Sequence, residues 1–245
     1  MRIFVFKKET LIRVAAFAII IAGAVVYTRA VTQDDKPAFS DADTQMVSSY
    51  STQEKEVALT IDTTFGNDRT EEILSVLKKH GATATFAVMG AWAKENPDKV
   101  RSIKDAGHEI ISHSMTHDHY NDLGEDKSVE DAKAAKEYLK TEFGIDTSKI
   151  RPPYGTANSN VLEALYENGF ETVKWSIDSK DWRGDTADSI AKRVLENIKP
   201  GSIVLFQNNN DSTPDALNMV LEKLAEASYR TVSMSEMSVT DGKNI

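Results

Sequence analysis

The sequence predicts an α/β fold on a parallel sheet, either a closed barrel or a doubly wound open sheet. Two observations lead there. From Lys55 onward, short apolar runs alternate with amphipathic helical patterns, and no long hairpin signal breaks the alternation. The chain has 245 residues, 40% of them hydrophobic, which is enough for one sizeable core without a second domain.

Each element has a local reason. Val57–Ile61 is β-rich and ends at Asp62, and 67–79 is helical, with Ile73, Leu74 and Leu77 on one face before Gly81. A strand over 83–89 follows, then a helix opened by Asn96-Pro97 and ended at Gly107, with Val100 and Ile103 inward. Further strands are expected at 108–112, at Ile150 before two prolines, and at 172–177, 202–206 and 231–233. Helices are expected at 128–143, 158–168, 186–198 and 213–227.

The first 30 residues differ from the rest. Arg2, Lys7, Lys8 and Arg13 precede the uncharged run Val14–Thr28, which Arg29 closes. A positive flank followed by an apolar run is a targeting or anchoring pattern. Fifteen residues rise only about 22 Å against a ~30 Å hydrocarbon core, so Leu11, Ile12 and the flanking arginines must lengthen the span. The reading is an uncleaved anchor at 1–30, positive flank inside and the remainder outside the cell membrane; secretion after cleavage is the alternative. Residues 31–54, rich in Asp, Ser, Thr and Gln, read as a linker, and 238–245 as a tail.

Charge narrows the partners. The 29 basic and 38 acidic residues give a net of -9, and leaving out the first 30 residues makes it about -13. An acidic chain without a basic stripe excludes nucleic acid as the expected partner. There is no cysteine, so disulfides, thiol nucleophiles and cysteine zinc sites are excluded and any metal must be held by His, Asp or Glu.

In both candidate architectures, ligands sit at the carboxyl ends of the strands. Asp62, His113, His117, Arg151, Asp178, Asp181 and Gln207 all fall there. His113 and His117 are four residues apart, and three of the five histidines lie within 112–119. Two imidazoles with one carboxylate and an open position make a catalytic zinc-type site, in which a bound water titrates near pH ~7. Asp62 is the nearest carboxylate, as base or ligand. Asp68 could also reach in, or else serve as a helix cap beside Thr70, Glu71 and Glu72. Arg151 reads as a surface ion-pair residue or as the group that orients a carboxylate. Trp182 reads as core or as an aromatic wall for a sugar ring.

Together the residues resemble a known family. Thr60-Ile61-Asp62, His113-Ser114-Met115-Thr116-His117, Arg151-Pro152-Pro153-Tyr154-Gly155, Asp178-Ser179-Lys180-Asp181-Trp182 and Ser202-Ile203-Val204-Leu205 come in the order and spacing of the polysaccharide deacetylases, carbohydrate esterase family 4. The resemblance covers about 55–237. It implies a distorted (β/α) barrel and metal-dependent removal of acetyl groups from N-acetylated glycans such as peptidoglycan or chitin. It also implies roles: Asp62 as catalytic base, His113 and His117 as metal ligands, Arg151 as the group orienting the base, the Tyr154 backbone N–H as oxyanion donor, and Asp181 with Trp182 as the fourth motif. A divalent metal is the implied cofactor, with zinc the expected ion. Two positions depart from the pattern. Thr63 stands where the family has its metal aspartate, and Gln207 stands where it has its acid histidine, which leaves Gln207 as a substrate contact. Asp68 is the expected replacement ligand, since Gly66 could let residues 63–67 curl it back toward the histidines.

The expectation is therefore a metal-dependent hydrolase acting on acetylated glycan outside the cytoplasmic membrane. The alternative is a catalytically impaired, glycan-binding or regulatory relative.

Overall fold

The computed structural model describes residues 46–238; the expected anchor at 1–30 and nearly all of the expected tail lie outside the described residues. The strands are β1 (Glu56–Asp62), β2 (Thr85–Val88), β3 (Glu109–Ser112), β4 (Lys149–Ile150), β5 (Glu171–Thr172), β6 (Ile177–Asp178), β7 (Ser202–Gln207) and β8 (Arg230–Thr231). The helices are α1 (Thr70–His80), α2 (Gly90–Glu95), α3 (Pro97–Asp105), α4 (Tyr120–Leu123), α5 (Glu125–Phe143), α6 (Ser159–Glu167), α7 (Ala187–Leu195) and α8 (Thr213–Glu226). Every strand pair is parallel, in the order β5-β4-β3-β2-β1-β7-β6, with β8 against the start of β1.

β1 is buried on both faces, as expected of a central parallel strand. Val57, Leu59 and Ile61 face outward into a core shared with Ile73, Leu77, Val100, Ile103, Leu217 and Val220 of the surrounding helices. The other face carries Ala58, which packs with Ala87, Ile111, Val173 and Ile203. These five line the inside of the curled sheet. Thr60 shares that inner face and satisfies its hydroxyl by donating to the Val204 carbonyl at 2.8 Å.

The stretch expected as a single strand over 172–177 is two strands at opposite edges of the sheet. The Val173 N–H still donates to Ile150 at one edge, while the Ser176 N–H donates to Ile203 at the other. Only Lys174 and Trp175 lie between them, and three residue steps span at most ~11 Å. The edges must therefore face each other across a narrow seam, which is the geometry of a distorted barrel. The run misled because Thr, Val, Trp and Ile are all strand formers, and period alone does not reveal a change of partner.

A second difference concerns residues 46–54, expected as linker. Val47, Tyr50 and Thr52 are buried. The Val47 N–H donates to Thr172, the Lys174 N–H donates to Val47, and the Tyr50 N–H donates to Gly201, so this strap crosses the seam from β5 to β7. Gly201, at φ 80°, leaves no room for a Cβ because the Tyr50 carbonyl lies against it. Helix α2 was not anticipated, and α1 starts at Thr70, three residues later than expected.

Candidate active site

Register places the site. Asp62 is aligned with Ala87 on one neighbour and Gln207 on the other, so Asp62 and Gln207 share the inner face at the carboxyl end of the sheet. His113 follows β3 directly, and its N–H donates to Val88 at 2.9 Å. Arg151 follows β4, its N–H donating to Ser112 at 2.8 Å.

These three side chains meet. Arg151 is fully buried, and its Nη1 stands 2.5 Å from Oδ1 of Asp62, which is 3% exposed. Nη2 donates to the Lys174 carbonyl at 2.9 Å, and the guanidinium lies 5.5 Å from the Trp175 ring centre. Arg151 thus holds Asp62 by one oxygen and leaves Oδ2 to face His113 Nε2 at 3.6 Å. The Arg151 carbonyl also accepts from His113 Nδ1 at 2.8 Å. That bond puts the proton on Nδ1 and the lone pair on Nε2, the usual preparation of a ligand imidazole.

His117 Nε2 meets His113 Nε2 at 3.1 Å. Burial, with His113 adding to it, pushes the His117 imidazole down to about 4, so it is neutral near pH 7. Ser114 and His117 both take positive φ, 65° and 67°, and the Ser114 hydroxyl accepts the His117 N–H at 2.8 Å. Tyr154, at φ 59°, is 53% exposed; its ring lies edge-on to His117 at 4.8 Å and stacks on His119 at 3.6 Å.

These residues fit a divalent cation by donor type and spacing. Two ligands bound at 2.0–2.1 Å with a tetrahedral angle stand ~3.4 Å apart, close to the 3.1 Å between the imidazoles and the 3.6 Å from His113 to Asp62. Among the described residues no three His, Asp or Glu side chains already form a complete metal-holding group. Thr63 stands where the family resemblance implies a further carboxylate ligand.

Asp68 does not supply it. Its Oδ1 accepts the Thr70 N–H at 2.8 Å and pairs with Lys99 Nζ at 3.1 Å, while Oδ2 accepts the Trp92 indole N–H at 3.0 Å. Although burial opposes its ionisation, the Thr70 N–H and the Lys99 ammonium hold this carboxyl below its usual range. These are the contacts of a cap-like residue beside Thr70, and neither Asp68 oxygen is left for the histidine pair.

The other expected positions occupy the same mouth with different roles. Asp181 is fully buried; its oxygens accept the Gln207 N–H at 2.8 Å, the Thr213 hydroxyl at 2.7 Å and the Trp182 N–H at 2.9 Å. Burial raises its pKa despite those donors. Asp181 therefore ties β7, α8 and the loop after β6 together. Trp182 is 55% exposed on that loop. Sequence reasoning missed Phe65, 50% exposed beyond β1. The Asn209 side-chain amide donates to the Thr64 hydroxyl at 2.7 Å and the Phe65 carbonyl at 3.0 Å, and Asn208 Oδ1 accepts the Thr64 N–H at 2.9 Å. Nothing in the run of three asparagines marks it as the brace of a loop some 145 residues earlier.

Comparison with known proteins bears on the family and the fold. The polysaccharide deacetylase family profile matches residues 49–173. A peptidoglycan-N-acetylglucosamine deacetylase of Bacillus cereus is 35% identical, over 76% of this chain and 69% of that protein. The chain spans only 39% of the length of a Listeria monocytogenes peptidoglycan-N-acetylglucosamine deacetylase to which it is 31% identical, over 75% of its own length. Among solved structures, BA3943, described as a CE4 family pseudoenzyme from Bacillus anthracis, superposes with a TM-score of 0.75 at 30% identity, covering 79% of this chain and 68% of that one. A mutant of the same protein is described as having restored enzymatic activity. With the family profile spanning half the chain and a relative this similar, the chain belongs to the polysaccharide deacetylase family.

Proposed function

We propose that this protein is a divalent-cation-dependent deacetylase of N-acetylated cell-wall glycan, with chemistry weakened at two positions. The observation that carries the reading is the Arg151–Asp62 pair, which presents one free carboxylate oxygen 3.6 Å from an imidazole nitrogen already prepared as a ligand. His113 and His117 would hold the cation with Asp62 beside them, and a bound divalent ion would polarise the acetyl carbonyl and acidify a water. Asp62 takes the proton of the attacking water, and Arg151 holds its carboxylate in orientation. The Tyr154 backbone N–H is the donor that the family pattern assigns to the oxyanion. Trp182 and Tyr154 offer exposed ring faces to sugar. A net of about -13 outside the first 30 residues favours a neutral glycan over an anionic one.

Zinc is the expected ion, and attachment to the outer face of the cytoplasmic membrane through residues 1–30 is part of the proposal. Among the described residues no helix is long and apolar enough to cross a membrane.

The test is acetate release from N-acetylglucosamine oligomers and from peptidoglycan by the full chain. A chelator should stop release, zinc should restore it, and Asp62→Asn should abolish it with zinc content near normal. Undiminished release by Asp62→Asn would remove Asp62 from the role of base.

A second reading has specific support. Thr63 and Gln207 depart from the family pattern, and one similar structure is that of a pseudoenzyme. Sugar binding with no acetate release in any divalent ion would establish a glycan-binding relative instead.

A further inference from the structure

The loop that carries His117 is gripped by a carboxylate that the chemistry does not use. Asp131, on α5, directs both oxygens at this loop. Its Oδ1 accepts the Met115 N–H at 3.0 Å and the Tyr120 hydroxyl at 2.7 Å; its Oδ2 accepts the Thr116 N–H at 3.1 Å and lies 3.0 Å from the Thr116 hydroxyl. Among the described residues no ion pair joins Asp131 to a lysine or arginine, and its recorded hydrogen-bond partners all lie between Met115 and Tyr120.

The opposite side of the same peptides is held by α2. The Gly90 N–H donates to the Ser114 carbonyl and the Ala91 N–H to the Met115 carbonyl, each at 2.9 Å. A Cβ at Gly90 would meet the Met115 sulfur, so the glycine lets the Met115 side chain pack against α2. The segment from Ser114 to Thr116 is thus fixed by its carbonyls from one helix and by its N–H groups from another. Two of the loop's residues, Ser114 and His117, adopt left-handed backbone without being glycine. Such conformations persist only where the surroundings over-determine them.

We propose that Asp131 is the positioning residue for the His113–His117 pair: by fixing the peptides between them, it brings the two Nε2 atoms to a common point. The inference rests on the cation-dependent reading above where it concerns affinity, and on geometry alone where it concerns the rings. Oriented ligands raise metal affinity because less order must be imposed on binding, and loss of a comparable outer partner weakens affinity ~10–100-fold.

The experiment uses the full chain and two readouts. One is the zinc dissociation constant, measured by competition with a chromophoric chelator. The other is the set of His113 and His117 ring-nitrogen resonances in zinc-free protein, from long-range proton–nitrogen correlation. Asp131→Asn should weaken zinc ~10–100-fold and shift the ring-nitrogen resonances as the Nε2–Nε2 contact is lost. Val129→Ala, two residues away on the same helix and buried, is the control for stability alone; it should lower the melting temperature without either effect. Unchanged affinity and unchanged resonances in Asp131→Asn would overturn the proposal, as would an equal loss in Val129→Ala. If the wild type binds no zinc while Asp131→Asn still shifts the rings, the positioning role stands and the cation reading falls. Should Asp131→Asn not fold, Tyr120→Phe decides: it removes one donor to Oδ1, and severalfold weaker zinc with shifted ring resonances supports the proposal, while unchanged values overturn it.

Discussion

Thr63 is fully buried, accepts the Met89 N–H on its hydroxyl at 3.1 Å and brings no charge to the imidazole pair. Thr63→Asp should therefore tighten zinc binding and, without zinc, destabilise the fold, because a buried carboxylate lacks a partner until the cation arrives. Thermal melts with and without zinc check it: the zinc-induced rise should exceed that of the wild type. Gln207 is in register with Asp62 and cannot donate a proton near pH 7. Gln207→His should raise acetate release, since a positioned acid is worth ~10²–10⁴-fold, and add an alkaline limb to the pH profile of turnover, where the new imidazole loses its proton. Asp62, His113, His117 and Arg151 were legible because strand order puts them at one end and their chemistry is distinctive. The contacts of Asp68 were not, since its competing donors, the Trp92 indole and Lys99, come from segments more than 20 residues away whose approach no local pattern encodes.

At the level of elements, alternation revealed most strands and helices, while closure was hidden. The strap at 46–52 looks mostly polar in sequence, and only Met46, Val47 and Tyr50 hint that it packs. Its value lies in bridging β5 and β7 where the sheet does not pair with itself. Tyr50 is 6% exposed among Val47, Val173, Ile203 and Met234. Tyr50→Ala should cost roughly 3 kcal/mol, read as a lower denaturant midpoint. A midpoint equal to the wild type would mean the strap is not part of the cooperative unit. Because Trp175 and Lys174 cross the same seam and touch Arg151, this variant should also weaken acetate release.

For the whole molecule, the site's arrangement carries over into stability against pH. His117 titrates at about 4 in the folded protein, depressed first by burial and then by His113, against ~6.5 in the unfolded chain. His108 is likewise depressed by burial. Between those values the unfolded chain binds more protons, so stability rises with pH there. The contribution is fully present above pH ~6.5 and is lost as pH falls toward 4, ~3.4 kcal/mol for His117 at full strength and less once solvent screening of this part-exposed ring is counted. Asp68, held low despite its burial by the Thr70 N–H and Lys99, loses its share further down, through the carboxylate range. Asp181, raised by burial, works against that loss, because the folded state takes up its proton first. Zinc-free protein should thus show a falling denaturation midpoint from pH 7 to 4, and His117→Asn should flatten it in part, leaving the slope due to His108. Saturating zinc should shift the acid-side loss of the wild type but not that of His117→Asn, because a cation competes with the proton for the same nitrogen. Identical pH curves for the two proteins in the absence of zinc would show that His117 is not the buried neutral imidazole on which the site depends.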